Sequence, residues 1–309
     1  MKAEKDLIII GAGPGGLTAA QYGARANLST AIFEESSIGG QAVNIGELEN
    51  YPGFPEALSG GELCQKMKVQ AERFGAEFHS SSVLSVKKHD DIFSVETESG
   101  TVTAYAVILA TGARHRMLDV PGEKEFIGRG VSYCASCDGF FFRNKKIIVV
   151  GGGDTACSEA LALAKLSDKI IMIHRKDRFR AQKALAERVL SNRNIEVRFN
   201  TICTEIGGKN KVEYAILEEN RIKYEQDTDA VFIFTGIIPQ NVLAADAAKD
   251  AGGYVITDAY MNTSVKGLFA IGDLRNSPFR QVITACGDGA VAAHSAAGYI
   301  DALKGEAYI

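Results

Sequence analysis

Two cysteines with two residues between them, in Tyr133-Cys134-Ala135-Ser136-Cys137-Asp138, form the one C-x-x-C of the chain. That spacing lets two sulfurs close a ring, and a thiolate stabilised by its surroundings can open a ring again. The motif therefore suits a dithiol that cycles with a disulfide. A structural zinc site needs a full set of Cys and His ligands, and neither a second C-x-x-C nor a nearby histidine pair is present. No metal site is expected. Asp138 stands directly after Cys137, where a carboxyl either passes a proton to a departing thiolate or caps the turn before Gly139. Cys64, Cys157, Cys203 and Cys286 have no partner at useful spacing and read as small core residues.

A second kind of chemistry is carried by glycine. Gly11-Ala12-Gly13-Pro14-Gly15-Gly16 follows a short apolar run and opens a helical stretch over 17–26. Gly11 permits the tight turn, Gly13 lets the backbone approach a pyrophosphate, and Gly16 allows close contact between helix and strand. The helix N-terminus then faces the anion. Glu34 or Glu35 ends the next strand, where a carboxylate accepts a ribose 2′-hydroxyl and repels a 2′-phosphate. The site is expected to hold FAD or NAD and not NADP. Far downstream, Gly272-Asp273 ends an apolar run over 268–271, just beyond a strand's C-terminal end, where ligands of doubly wound sheets sit. This second carboxylate favours FAD.

The fingerprint returns as Gly151-Gly152-Gly153-Asp154-Thr155-Ala156, 140 positions on (151 − 11). Here the next strand ends in His174-Arg175-Lys176, with Arg178 and Arg180 close behind. A positive cluster at the ribose end is what a 2′-phosphate requires, and arginine can grip it with two parallel hydrogen bonds. Taken alone, the charge run reads equally as a solvated start to the next helix, with Phe179 and Ala181 opening its apolar face. Its offset after the second glycine turn favours NADPH. One site rejects a phosphate and the other seeks it, so two cofactors are implied.

These residues need a scaffold. The 309 residues with 46% hydrophobic content are enough for two packed cores. Apolar runs at 7–10, 30–33, 107–110, 147–150, 170–173, 230–234 and 268–271 alternate with helical stretches, as in α/β proteins with parallel sheets. Residues 82–105 break that rhythm and predict an antiparallel β insertion. Thr111-Gly112 and Thr235-Gly236 each close a late apolar run, so the two units share a plan. The segment after Gly236 predicts one strand and a helix over 282–303, too little for a domain, and is assigned to the first. The expected fold is α/β: two Rossmann-like three-layer nucleotide-binding domains, the first discontinuous, with crossings near 113–122 and 237–242.

Bulk properties narrow the class. A net charge of −4 with no long Lys/Arg block argues against a nucleic-acid partner. No apolar run reaches the roughly 18 residues of a membrane span, and Met1-Lys2-Ala3-Glu4-Lys5-Asp6 offers no signal-peptide core. The scattered cysteines point to a reducing compartment, and a cytoplasmic location is expected.

With these motifs in order, the chain resembles the low-molecular-weight thioredoxin reductases from end to end. The resemblance rests on Gly11 to Gly16, Gly39-Gly40-Gln41, Glu49-Asn50-Tyr51-Pro52-Gly53, Ala110-Thr111-Gly112, Cys134 to Asp138, Gly151 to Ala156, His174 to Arg180, Gly272-Asp273 and Arg280-Gln281. It implies an FAD domain made of residues 1–115 and 242–309, and an NADPH domain over 116–241 that carries the dithiol. It implies that Cys137 adjoins the flavin, Cys134 attacks the disulfide of thioredoxin or a thioredoxin-like protein, and Asp138 supplies a proton. Gly40, Gln41, Asn50, Thr111, Asp273, Arg280 and Gln281 would touch FAD, while Arg175, Lys176 and Arg180 would hold the 2′-phosphate. A homodimer and a rotation of the NADPH domain about the crossings are implied as well. Two residues depart from the family pattern: Lys176 stands where a second arginine is usual, and Ser136 where threonine is common. Lysine keeps the charge but loses the fork, which predicts a weaker preference for NADPH over NADH. The rival readings are a dithiol-independent ferredoxin- or flavodoxin-NADP reductase, against which the cysteine pair argues, and a redox-sensing flavoprotein without turnover.

Overall fold

The computed structural model describes residues 2–45, 48, 50–56 and 58–306, so Glu49 lies outside the described residues. The chain divides into two compact units, Met1–Arg114 with Ile238–Ile309, and His115–Ile237.

In the first unit the parallel strands Glu77–Ser80, Thr30–Glu34, Lys5–Ile10 and Gly100–Leu109 lie side by side in that order. Leu268–Ala270 also pairs with the last of them. Leu7 to Ile10 is apolar at every position because this strand is covered on both faces. Leu7 and Ile9 enter one core with the helices Pro14–Arg25, Gly60–Arg73 and Val282–Lys304, whereas Ile8 and Ile10 enter another with Phe93, Val95 and Val255. The antiparallel insertion expected at 82–105 is present: Ile92–Thr97 pairs antiparallel with Gly100–Leu109, and Val83–His89 pairs antiparallel with Ile92–Thr97. Small residues let two helices approach closely. A Cβ on Gly289 of the long helix would lie 2.2 Å from the Gly15 carbonyl oxygen.

The second unit repeats the plan. Its parallel sheet runs Ile195–Phe199, Ile170–His174, Ile147–Gly151, Ala230–Phe234, Val131–Ser132. Helices Asp154–Leu163 and Lys183–Leu190 pack on one face. On the other lies an antiparallel sheet of Thr201–Gly207, Tyr214–Glu219 and Ile222–Asp227, which the sequence reading did not anticipate. The fold class is α/β with two Rossmann-like three-layer units, and an antiparallel appendage belongs to each. The crossings Ala113–His115 and Ile237–Pro239 run together as a two-stranded ribbon.

The alternative reading of the basic run as the start of the next helix is not what the fold shows: Phe179 and Ala181 precede the helix, which starts at Lys183. Residues 175–182 instead form a loop held by backbone bonds, from Asn200 N–H to the Lys176 carbonyl (3.1 Å) and from Arg180 N–H to the Gly152 carbonyl (2.7 Å).

Candidate active site

The dithiol follows the short buried strand Val131–Ser132, which fixes where the chain emerges from the second unit's sheet. Cys134 and Cys137 are joined as a disulfide, with Cα atoms 5.3 Å apart. The single helical turn Ala135–Asp138 closes the ring: Asp138 N–H donates to the Cys134 carbonyl (3.1 Å), and Cys137 N–H donates to Cys134 Sγ (3.2 Å). Ser136 Oγ lies 3.3 Å from the same sulfur. Donors aimed at Cys134 Sγ favour its thiolate once the bond opens.

Asp138 is held from behind. Ser132, 4% exposed, donates its hydroxyl to Asp138 Oδ2 (2.6 Å) and accepts from Cys134 N–H (3.1 Å). Burial pushes the Asp138 carboxyl above the ordinary carboxylate range, partly opposed by the Ser132 hydrogen bond. An acid that keeps its proton longer than usual is suited to donating it to a leaving thiolate. A second acid lies in the same neighbourhood. Glu159, on the helix Asp154–Leu163, accepts from Ala135 N–H, and burial raises its carboxyl too. Next to the dithiol, Phe140 and Phe141 stand exposed.

The first glycine turn is shaped for an anion. Gly11 takes φ +104°, and a Cβ on it would lie 2.4 Å from the Ala110 carbonyl oxygen. A Cβ on Gly16 would lie 1.9 Å from the Gly11 carbonyl oxygen, so the helix rests on the strand. A Cβ on Gly13 would meet nothing within 4 Å, which leaves the approach to the helix N-terminus open. Pro14 occupies the first helical turn, and no side chain caps it. Of the two candidate carboxylates, Glu34 turns into the site. Its Oε2 accepts from Ala12 N–H (2.8 Å) and its Oε1 from Ser36 N–H (3.0 Å), whereas Glu35 is exposed.

Other residues proposed for the first nucleotide gather in the same unit. Gly40 lies over Gly13, and Gly15 and Gly272 both lie against Ala285. Asn50 Nδ2 donates to Gln281 Oε1 (3.0 Å), and the Gln41 side chain donates to the Ala113 carbonyl. Thr111 and Gln240 bond reciprocally: the Thr111 hydroxyl donates to the Gln240 carbonyl (2.7 Å), and Gln240 Nε2 donates to the Thr111 carbonyl (2.5 Å). Gln240 N–H also donates to the Gly112 carbonyl (2.9 Å). Burial raises the Asp273 carboxyl against the lowering effect of Arg280. The Arg280 guanidinium lies 4.3 Å from the Tyr254 ring centroid, with Nε buried and unpartnered among the described residues.

The second glycine turn has the same open approach, since a Cβ on Gly153 would meet nothing within 4 Å and no side chain caps the helix that begins at Asp154. Thr155 follows in its first turn. Arg175, Lys176 and Arg180 are exposed, and none forms an ion pair among the described residues. His174 differs from them. It is 7% exposed and packs beneath the turn, where a Cβ on Gly152 would lie 2.3 Å from its Nδ1. Burial first, then Arg180, Arg175 and Lys176, hold its imidazole below the usual range, and its Nε2 has no partner among the described residues.

The whole sequence agrees with this geometry. Residues 5–289 match the family described as Pyridine nucleotide-disulphide oxidoreductase. The chain belongs to the pyridine nucleotide-disulphide oxidoreductase family. Within that family it is 52% identical to the thioredoxin reductase of Treponema pallidum (strain Nichols) over 306 residues, 98% of this chain and 100% of the relative. It is 42% identical to that of Peptoclostridium acidaminophilum, over 96% of this chain and 97% of the relative. The crystal structure of thioredoxin reductase from Streptococcus pyogenes MGAS5005 superposes with a TM-score of 0.92 at 42% identity, covering 96% of this chain and 98% of that one.

Sequence reading missed Ser132, Glu159 and Gln240. Ser132 lies only two positions before Cys134 and could have been weighed with it. Glu159 reaches Ala135 from 24 positions downstream, and Gln240 reaches Thr111 from across 129 positions, so only the fold reveals them.

Proposed function

We propose that this chain is an NADPH-dependent, FAD-containing thioredoxin-disulfide reductase. The observation that carries this reading is a bonded Cys134–Cys137 pair beside an acid of raised pKa, in the same unit as a glycine turn with a basic ribose end. We assign residues 1–115 and 242–309 to FAD and 116–241 to NADPH.

Gly11, Gly13, Pro14, Gly15, Gly16, Glu34, Gly40, Gln41, Asn50, Thr111, Gly112, Gly272, Asp273, Arg280 and Gln281 would hold FAD. Gly151, Gly153, Asp154, Thr155, His174, Arg175, Lys176 and Arg180 would form the NADPH site. Bound FAD supplies the relay of an electron pair from NADPH to the disulfide. Reduction breaks the Cys134–Cys137 bond. Cys134 thiolate then attacks one sulfur of the thioredoxin disulfide, forming a mixed disulfide and releasing the other sulfur as a thiolate, which takes the Asp138 proton. Cys137 attacks Cys134 Sγ, closing the ring and releasing the second thioredoxin thiolate. The protein partner is thioredoxin or a thioredoxin-like small protein.

NADPH and the dithiol both need the flavin, so we place a hinge at the two crossings. We also propose a homodimer in the cytoplasm. Among the described residues no helix is long and apolar enough to cross a membrane.

The test is the flavin absorption spectrum of the purified protein, followed by NADPH-driven reduction of thioredoxin by wild type and Cys137→Ser. A yellow protein whose activity vanishes in the variant supports the route through the dithiol. Retained activity would point to a dithiol-independent flavin reductase.

A further inference from the structure

The basic residues at the second nucleotide turn sit on a loop, not on a strand or helix. A specificity determinant on a loop works only if something fixes the loop to the phosphate-facing turn. Two hydrogen bonds tie these segments together. Arg180 N–H donates to the Gly152 carbonyl (2.7 Å), and Gln182 N–H donates to Asp154 Oδ1 (2.7 Å). Asp154 opens the helix Asp154–Leu163, and Gln182 is the residue just before the helix Lys183–Leu190. The Asp154 carboxylate thus joins the starts of two helices across 28 positions of sequence. Below them, His174 fills the space against Gly152.

We infer that Asp154 is a positioning residue that sets 2′-phosphate specificity, by docking the Arg175–Arg180 loop onto the glycine turn. The inference rests on the proposed NADPH site and deepens it. Within that site a carboxylate in the first turn of the helix acts by position and not by contact with the phosphates, since like charges repel. Its Oδ1 instead accepts from the Gln182 backbone N–H. Asparagine would supply the same acceptor without the charge, whereas alanine would supply neither.

The experiment uses flavin-loaded protein and calorimetric titration with adenosine 2′,5′-bisphosphate and with 5′-AMP. Wild type is expected to prefer the bisphosphate. Asp154→Ala should weaken the bisphosphate about tenfold more than 5′-AMP, the equivalent of one charge-assisted hydrogen bond. Asp154→Asn should restore the preference. Gln182→Pro removes the donor from the other side at a residue whose φ of −54° suits proline, and should reproduce the alanine result even if Asp154→Ala fails to fold. A wild-type preference that survives both Asp154→Ala and Gln182→Pro overturns the inference, as does equal weakening of both ligands. A wild type with no preference overturns the 2′-phosphate reading itself, and the inference with it.

Discussion

Replacing Asp138 by asparagine separates catalysis from stability at one atom. The amide is isosteric, and its Oδ1 can still accept the Ser132 hydroxyl that lies 2.6 Å from Oδ2, so the change removes little except the exchangeable proton. A missing general acid typically costs 10²–10⁴-fold, and a loss of about 10²-fold or more in thioredoxin reduction is expected. Stability should move the other way. Burial raises this carboxyl above its ordinary 3.8, so the folded state binds the proton more tightly than the unfolded chain. Such a group contributes nothing below the unfolded pKa, becomes destabilising as pH rises past it, and is most unfavourable above its folded pKa. Asparagine lacks that cost, so the variant should be more stable at pH 7, by about 1 kcal/mol on the usual scale for one substitution. The gain should shrink as pH falls toward 3.8. The assay is kcat for thioredoxin reduction from pH 5 to 9, with urea unfolding at pH 7 and pH 4. A variant that keeps wild-type kcat, or is less stable at pH 7 than at pH 4 relative to wild type, would refute the reasoning.

Two further outcomes follow from the nucleotide turns. Gly16→Ala sets a Cβ about where the Gly11 carbonyl oxygen stands, at 1.9 Å, so the helix must lift from the strand. The expected cost is about 3 kcal/mol, with loss of bound flavin, read from the urea midpoint and the flavin absorbance per chain. Lys176→Arg restores a planar fork and should raise the NADPH/NADH ratio of kcat/KM by up to about tenfold; an unchanged ratio counts against a phosphate contact at this position.

Much of the scaffold was legible because two strong signals agree. Apolar runs covered on both faces mark the parallel strands, and glycine is required at fixed offsets where a helix must touch the strand before it. Gly11 and Gly16 could be given their roles from spacing alone, and the backbone contacts bear those roles out. The antiparallel sheet over 201–227 was not legible because its strands carry charge on their outer face, as in Ile222–Asp227, and so lack an apolar run. The loop before the helix at Lys183 was not legible for another reason: it is fixed by Gly152 and Asp154, residues about 30 positions away. Side-chain orientation was equally hidden. His174 and Arg175 are adjacent in sequence, yet one is buried under the turn and the other is exposed.

The helix Asp154–Leu163 links the two chemistries of the second unit. Its first residue faces the glycine turn and docks the basic loop, and Glu159, five positions on, accepts from Ala135 inside the disulfide ring. At 1.5 Å per residue these points are only about 7–8 Å apart along the axis. Leu163 and Ala160 are fully buried, and Ala135 shares their core, so turn, helix and dithiol behave as one packed body. Interiors of this density do not deform continuously. The hinge proposed at the two crossings would carry turn, helix and dithiol together.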